Sequence, residues 1–198
     1  MKESIRKADI LIEALPYLQA FRGKVMVVKY GGSAIDNVVA MRGILQDLVF
    51  LSTAGIHATL VLGGGPMITR RLAASGASSA FIDGMRVTDA HTIRIVAQEL
   101  QMVNRRLVAQ VKGLGGHAVG LGPRHRVVLA TPHPEAHRLG WVGRIKGVRP
   151  TLLRECFRRS IIPILSPIGM GSGHRYNINA DDVASAVATS IGAEILVL

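Results

Sequence analysis

Twice near its start this chain runs through a short β-rich stretch, meets clustered glycines and passes into a helical pattern. Val25–Lys29 leads to Gly31-Gly32, and His57–Leu62 leads to Gly63-Gly64-Gly65-Pro66. A strand that feeds a helix and then another strand makes a right-handed crossover and a parallel sheet covered on both faces. Ligands of such sheets sit at the carboxyl ends of the strands, where both glycine clusters lie. The feature therefore fixes the class as α/β with a mostly parallel central sheet between helices.

The remaining pattern extends that alternation. Helices are expected over 4–21, 36–54, from the glycine triplet to about Ser75, over 90–112, from Pro150 to about Arg159 and over 180–191. Pro16 is expected to kink the first of them. Thr88 or Asp89 is expected to cap the long fourth helix and Gly113 to close it. Shorter strands are expected at His117–Leu121, Arg126–Ala130, Trp141–Val148, Ile161–Ser166 and Glu194–Leu198, with Gly169–Gly173 read as a turn.

Composition narrows the function classes. With 198 residues, 48% hydrophobic and 19% charged, the chain has material for one core or two small ones and is not disordered. Cys156 is the single cysteine, so neither a disulfide framework nor a cysteine-rich zinc site is expected; Cys156 sits among Leu152, Leu153 and Phe157 as packing. No run reaches the roughly 18 apolar residues of a membrane span, and acids interrupt the N-terminal apolar residues, so no membrane partner and a cytoplasmic location are expected. The net charge of +11 is concentrated in residues 101–160, which hold twelve Lys and Arg against Glu135 and Glu155. Aromatics are only 4%, and no nucleic-acid-binding motif is present, so a nucleic-acid partner is not expected and a solvated basic surface is.

Four segments carry candidate chemistry. In Lys29-Tyr30-Gly31-Gly32-Ser33, paired glycines let backbone N–H groups approach phosphate oxygens and Lys29 adds a point charge, though a tight turn before a helix would look the same. The triplet Gly63-Gly64-Gly65 exceeds what a bare turn needs and suggests close approach to an anion. Arg86, in Gly84-Met85-Arg86-Val87-Thr88-Asp89, has the fork geometry that grips a carboxylate. In Tyr176-Asn177-Ile178-Asn179-Ala180-Asp181-Asp182, Asn177 and Asn179 share one side of an extended segment, Asn179 or Asp181 could cap the next helix, and the Asp181 carboxylate could orient a lysine.

Together these segments resemble the amino acid kinase family, in its acetylglutamate kinase branch. KADILIEALPYLQAFRGKVMVVKYGGSA, LGGGP, DGMRVTDA, GWVGRI and PILSPIGMGSGHRYNINADDVA stand in that family's order and spacing, from about Lys7 to Leu198. The resemblance implies a three-layer fold and phosphoryl transfer from ATP, with Mg2+ carried by the nucleotide, to the γ-carboxylate of N-acetyl-L-glutamate. A carboxylate is ionised at neutral pH and needs no general base, so catalysis falls to positioning and charge neutralisation. By the same resemblance Lys29 and Asp181 are catalytic, Lys29 on the transferring phosphate and Asp181 holding lysine in place. Gly31, Gly32, Gly63 and Gly64 cradle phosphate, while Gly64, Gly65, Arg86 and Asn177 bind the acyl substrate. No protein metal ligand is implied.

Residues 1–22 resemble a helix exchanged between subunits in hexameric members, which implies a homo-oligomer, and residues 23–198 resemble the acyl-substrate lobe. Family members continue past the last strand into an ATP lobe with a second catalytic lysine, so the chain is expected to hold the substrate lobe alone, with impaired activity. A non-catalytic substrate-binding or regulatory subunit is the alternative. Leu62 stands where relatives carry histidine, and GLGPRHR replaces a segment near GLSGKDG.

Overall fold

The computed structural model describes residues 2–31 and 35–198. In chain order its elements are α1 (Lys2–Phe21), β1 (Val25–Tyr30), α2 (Val38–Thr53), β2 (His57–Leu62), α3 (Gly65–Ala74), β3 (Phe81–Ile82), β4 (Met85–Arg86), α4 (Ala90–Gly113) and β5 (Ala118–Leu121). There follow β6 (Val128–Pro132), α5 (Ala136–Leu139), β7 (Gly143–Val148), α6 (Thr151–Arg158), β8 (Ile162–Leu165), β9 (Ile168–Gly171), β10 (His174–Asn177), α7 (Ala180–Ile191) and β11 (Ile195–Val197).

The main sheet is parallel throughout, in the order β11-β1-β2-β8-β5. Its central strand β2 is buried on both sides because both sides are covered, with Thr59 the polar residue among apolar ones. Ala58, Leu60 and Leu62 face Leu45 and Leu48 of α2 and Val103, Leu107 and Val111 of α4. Val61 faces the other way, into a layer with Leu165, Phe157 of α6 and Val183, Ala184 and Val187 of α7. The sandwich expected from the alternation of strands and helices is therefore present, and it leaves the carboxyl ends of β1, β2, β8 and β5 along one edge.

The sequence pattern did not show the second sheet as a sheet. Its order is β10-β9-β6-β7, antiparallel except for the β6–β9 pair. Gly169–Gly173 is not a turn over its length: only Ser172 and Gly173 turn, with φ 46° and 81°, a two-residue hairpin loop of the kind that fits strand twist. Gly169 and Gly171 lie in β9 because β6 passes so close that a Cβ on either would run into Ala130. Asp83-Gly84, at φ 49° and 76°, makes the same loop between β3 and β4, a hairpin the Asp-Gly pair itself signals.

Capping differs in detail from expectation. Asp89 caps α4, accepting from the N–H groups of His91 and Thr92, while Thr88 is fully buried and turned elsewhere. Gly113 remains inside α4, and Gly115, at φ 84°, breaks the direction of the chain. Asn37 caps α2 and Asn179 caps α7. The helix α1 runs unbroken through Pro16. Most of its described side chains are exposed, among them Leu11 at 69%, Ile12 at 67% and Tyr17 at 67%.

Candidate active site

A cleft of about 330 Å3 opens where β1 and β2 end and α3 and α7 begin, roofed by the β3–β4 hairpin. Lys29, Gly63, Gly64, Gly65, Arg86, Asn177 and Asp181 all line it, although more than 150 positions separate the first from the last. Gly31 lies behind this lining, against Gly63, and Gly32 falls outside the described residues.

Strand β1 delivers Lys29 and the first turn of α7 delivers Asp181. The ammonium and carboxylate meet at 2.8 Å, with the lysine side chain 22% exposed and the aspartate 47%. Because Asn179 is the cap and accepts from the Asp181 N–H, the Asp181 carboxylate is free of capping duty and reaches the lysine. An aliphatic stem with four torsions gains a defined end position from that contact, which is what placing a point charge requires.

The glycines are explained in part by packing alone. A Cβ on Gly63 would stand 2.7 Å from the Cα of Gly31, and one on Gly31 would stand 2.8 Å from the Cα of Gly63. The ends of β1 and β2 can approach this closely only when both residues are glycine, and the Gly63 N–H donates to the Tyr30 carbonyl at 2.7 Å. Gly64 is pressed by Leu100 and Ile68, whereas a Cβ on Gly65 would meet nothing. Gly64 caps α3 without a side chain, so the first N–H groups of that helix receive no side-chain cap and open toward the cleft, with the positive end of the helix dipole behind them.

Arg86 is 6% exposed and its guanidinium is aligned by four groups. It donates to the Gly65 carbonyl at 3.0 Å, to Thr69 Oγ1 at 2.8 Å and to Ser79 Oγ, and it lies 4.6 Å from the centre of the Phe81 ring. Burial presses its pKa below the ordinary arginine value, yet an arginine stays charged at neutral pH. Those contacts leave the Nε hydrogen and one Nη1 hydrogen for a ligand. Thr69, Ser79 and Phe81 stand in no motif, and only the fold brings them to one guanidinium.

Thr88 and the segment Leu139–Val142 link the two halves of the substrate wall. Thr88 Oγ1 donates to the Arg86 carbonyl at 2.7 Å and accepts from Asn177 Nδ2 at 3.2 Å. The backbone from Leu139 to Val142 threads between them: Thr88 N–H to Leu139 carbonyl, 2.8 Å; Trp141 N–H to Thr88 carbonyl, 2.6 Å; Asn177 N–H to Trp141 carbonyl, 2.9 Å. Gly140, at φ 70°, is packed so that a Cβ would strike the Thr88 carbonyl. The glycine-tryptophan motif thus ties Arg86 to Asn177, and His133 and Arg144 join the lining from neighbouring positions.

Residues 24–198 match the model of the amino acid kinase family. The chain belongs to that family. It is 42% identical to an acetylglutamate kinase of Desulforamulus reducens over all of this chain and 70% of that protein. It is 43% identical to the chloroplastic acetylglutamate kinase of Arabidopsis thaliana, over 97% of this chain and 56% of the other. Among solved structures, an N-acetylglutamate synthase from Neisseria gonorrhoeae in complex with coenzyme A and N-acetyl-glutamate superposes with TM-score 0.82 at 25% identity, over 94% of this chain and 43% of that one. A Giardia carbamate kinase shares the fold alone, at TM-score 0.61 and 12% identity. Kinase membership and the parallel sheet between helices thus agree with the sequence reading.

Proposed function

We propose that the cleft binds N-acetyl-L-glutamate and presents its γ-carboxylate to the terminal phosphoryl of ATP. The observation that carries this reading is the convergence of the Lys29–Asp181 pair and the Arg86–Asn177 wall on a single cleft in an amino acid kinase. The two ends of the cleft suit the two ends of such a substrate. Arg86, held flat by Thr69, Ser79 and Phe81, meets the α-carboxylate with its charge and one of its remaining N–H donors. Asn177, fixed through Thr88, meets the acetamido region.

At the other end, Lys29 neutralises charge on the phosphoryl in transit and the uncapped amides of α3 face the reacting oxygens. Asp181 keeps Lys29 in place rather than taking a proton, since an ionised carboxylate nucleophile needs none removed. Gly31 and Gly63 keep the floor low enough for that approach. Of the carboxylates lining the cleft, Asp181 is engaged by Lys29 and Asp182 is its neighbour, so Mg2+ is read as arriving on the nucleotide phosphates. A cytoplasmic setting fits a lone cysteine that is buried and whose thiol burial pushes up.

Helix α1 is the proposed self-association element. Ile5, Leu11, Ile12 and Leu15 are each about half exposed or more, an apolar face that a second copy of the chain would cover.

Trapping of acyl phosphate as the hydroxamate, with ATP and Mg2+, tests the reaction, and calorimetry with N-acetyl-L-glutamate and L-glutamate tests the acceptor. The chain spans 70% of the length of its Desulforamulus relative, so these 198 residues alone are expected to bind the acetylated acceptor but to turn over far below the roughly 10 per second typical of enzymes. Preference for unacetylated glutamate would overturn the acceptor assignment. Binding of N-acetylglutamate with no hydroxamate even when ATP saturates would favour the substrate-binding, non-catalytic alternative.

A further inference from the structure

Three Lys and Arg side chains line the kinase cleft, and the reaction as read so far uses two of them. Lys29 is paired with Asp181, and Arg86 is held by Thr69, Ser79, the Gly65 carbonyl and the Phe81 ring. The third is Arg144. It is exposed, and among the described residues no carboxylate lies within ion-pair distance of it. His133 also lines the cleft, but its Nδ1 accepts from the Glu135 N–H at 3.2 Å, and it is not counted among the cations.

The backbone decides which end of the cleft Arg144 serves. The segment that carries it starts beside Thr88, where Gly140 makes a parallel bridge, and passes Asn177, where Val142 makes another. The two chains run in the same direction there. The step from Val142 to Arg144 therefore runs alongside the step from Asn177 to Asn179, which leads into the first turn of α7 and to Asp181. Arg144 lies about 7 Å past Val142 along the strand, away from Arg86 and toward the Lys29–Asp181 pair. Alternate residues of a strand share a face, so Arg144 keeps to the cleft side with Val142. Ile145 turns the other way, into the core layer that holds Val183 and Val187 of α7.

The charge at that end is otherwise unfavourable to phosphate. Lys29 and Asp181 cancel, which leaves Asp182, a second carboxylate of the lining, to set the sign. An arriving phosphoryl group would meet a net negative end unless another cation offsets Asp182, and Arg144 is the side chain placed to do so. A guanidinium presents a planar fork of N–H donors that matches two phosphoryl oxygens, and one without an ion pair breaks none to make that contact.

We propose that Arg144 is a catalytic residue that grips the terminal phosphoryl of the nucleotide, a role that rests on the kinase reading of the cleft. Its donors stay on the phosphoryl oxygens while the γ-carboxylate oxygen bonds to phosphorus and the bond from phosphorus to the bridging oxygen breaks. The leaving diphosphate keeps the electron pair and no proton moves. Arg144 and Lys29 then share the phosphoryl end, and Arg86 serves the α-carboxylate end.

The test is calorimetric titration of the full 198-residue chain with pyrophosphate, in about 150 mM NaCl and saturating N-acetyl-L-glutamate, beside a titration with N-acetyl-L-glutamate alone. Lys146 is exposed on the same strand but does not line the cleft, so Lys146→Ala measures what loss of a nearby surface charge does by itself. Circular dichroism checks that each variant is folded. Arg144→Ala should bind pyrophosphate about tenfold more weakly, or worse. Arg144→Lys, which keeps the charge and loses the fork, should fall between it and the wild type. Lys146→Ala should stay within about twofold of the wild type, and N-acetyl-L-glutamate affinity should be the same in all of them. The proposal is overturned if the wild-type chain binds no pyrophosphate, if Arg144→Ala binds it as the wild type does, or if Lys146→Ala loses as much as Arg144→Ala. Failure of the kinase reading looks different: N-acetyl-L-glutamate then binds neither the wild type nor any variant.

Discussion

Two concavities share the carboxyl edge of the main sheet, and Ser166 lines one while its neighbour Pro167 lines the other. They handle charge in opposite ways. In the kinase cleft the two cations of the floor and wall are assigned, Lys29 to Asp181, and Arg86 to Thr69, Ser79, the Gly65 carbonyl and the Phe81 ring, while Arg144 lines it without an ion pair among the described residues. In the other, a basic pocket between α4 and β5, Arg105, Lys112, Arg124 and Arg175 are gathered without acids. The first arrangement fixes geometry in advance, as a site for chemistry must. The second leaves like charges close to one another. Local sequence counts of Lys and Arg treat both regions alike; only the partners distinguish them.

The largest effect expected concerns the base of that contrast, the close approach of β1 and β2. Gly63→Ala sets a Cβ 2.7 Å from the Cα of Gly31, backbone that cannot swing aside. Overpacking of this kind typically costs about 1–3 kcal/mol, and urea unfolding should place Gly63→Ala near the upper end. Gly65→Ala, which meets nothing, should be neutral by comparison. Equal losses would mean that the glycine cluster is not defined by packing.

Arg86→Ala should come next. Loss of a charge-assisted partner costs about 1.5–3 kcal/mol, a tenfold to hundredfold drop in N-acetylglutamate affinity by calorimetry. The same change at Arg124 should leave that affinity alone, and a fall with both would erase the distinction between the two concavities.

How much of this was legible in the sequence differs between the two sheets. The parallel sheet was, because β2 is a mostly apolar run and glycines mark its end. The antiparallel sheet was not, because Gly169 and Gly171 look like turn residues and are in fact strand residues crowded by Ala130. Motif resemblance placed Lys29, Arg86, Asn177 and Asp181 together, but Thr69 and Ser79 carry no motif and matter only through contacts made in the fold, and Thr88, though it stands in the DGMRVTDA motif, was read as a cap rather than as the link to Asn177. The same holds for the basic pocket: its charge excess was visible, but the gathering of Arg105, Arg124 and Arg175 needs the strand order.

Asp89 gives a smaller effect on the frame that both concavities share, since α4 borders each. Its carboxylate pKa is held below the usual range, first by the hydrogen bond from the Thr92 backbone. A carboxyl group depressed in the folded state stabilises above its unfolded pKa, and that stabilisation fades as pH falls through the folded value. Asp89→Ala should lose about 1 kcal/mol at pH 7. The gap between variant and wild type should narrow on acidification below about pH 4; a gap that widens instead would show that Asp89 does not act as a charged cap.

The smallest effect is one of screening. Like charges in the basic pocket repel across a range that salt shortens to about 8 Å at physiological ionic strength. Raising NaCl should therefore stabilise the wild type slightly, by about 0.5 kcal/mol or less, and Arg124→Glu should abolish that gain in thermal unfolding. A salt response unchanged in Arg124→Glu would place the repulsion elsewhere.

The most direct measurement is an amide NMR titration of the 198-residue chain with N-acetyl-L-glutamate. The account predicts saturable shifts at Lys29, Gly63, Gly64, Gly65, Arg86, Thr88, Asn177 and Asp181, with Gly122, Arg124, His125 and Arg175 unmoved. Shifts centred on Arg124 and Arg175, or none that saturate, would contradict it.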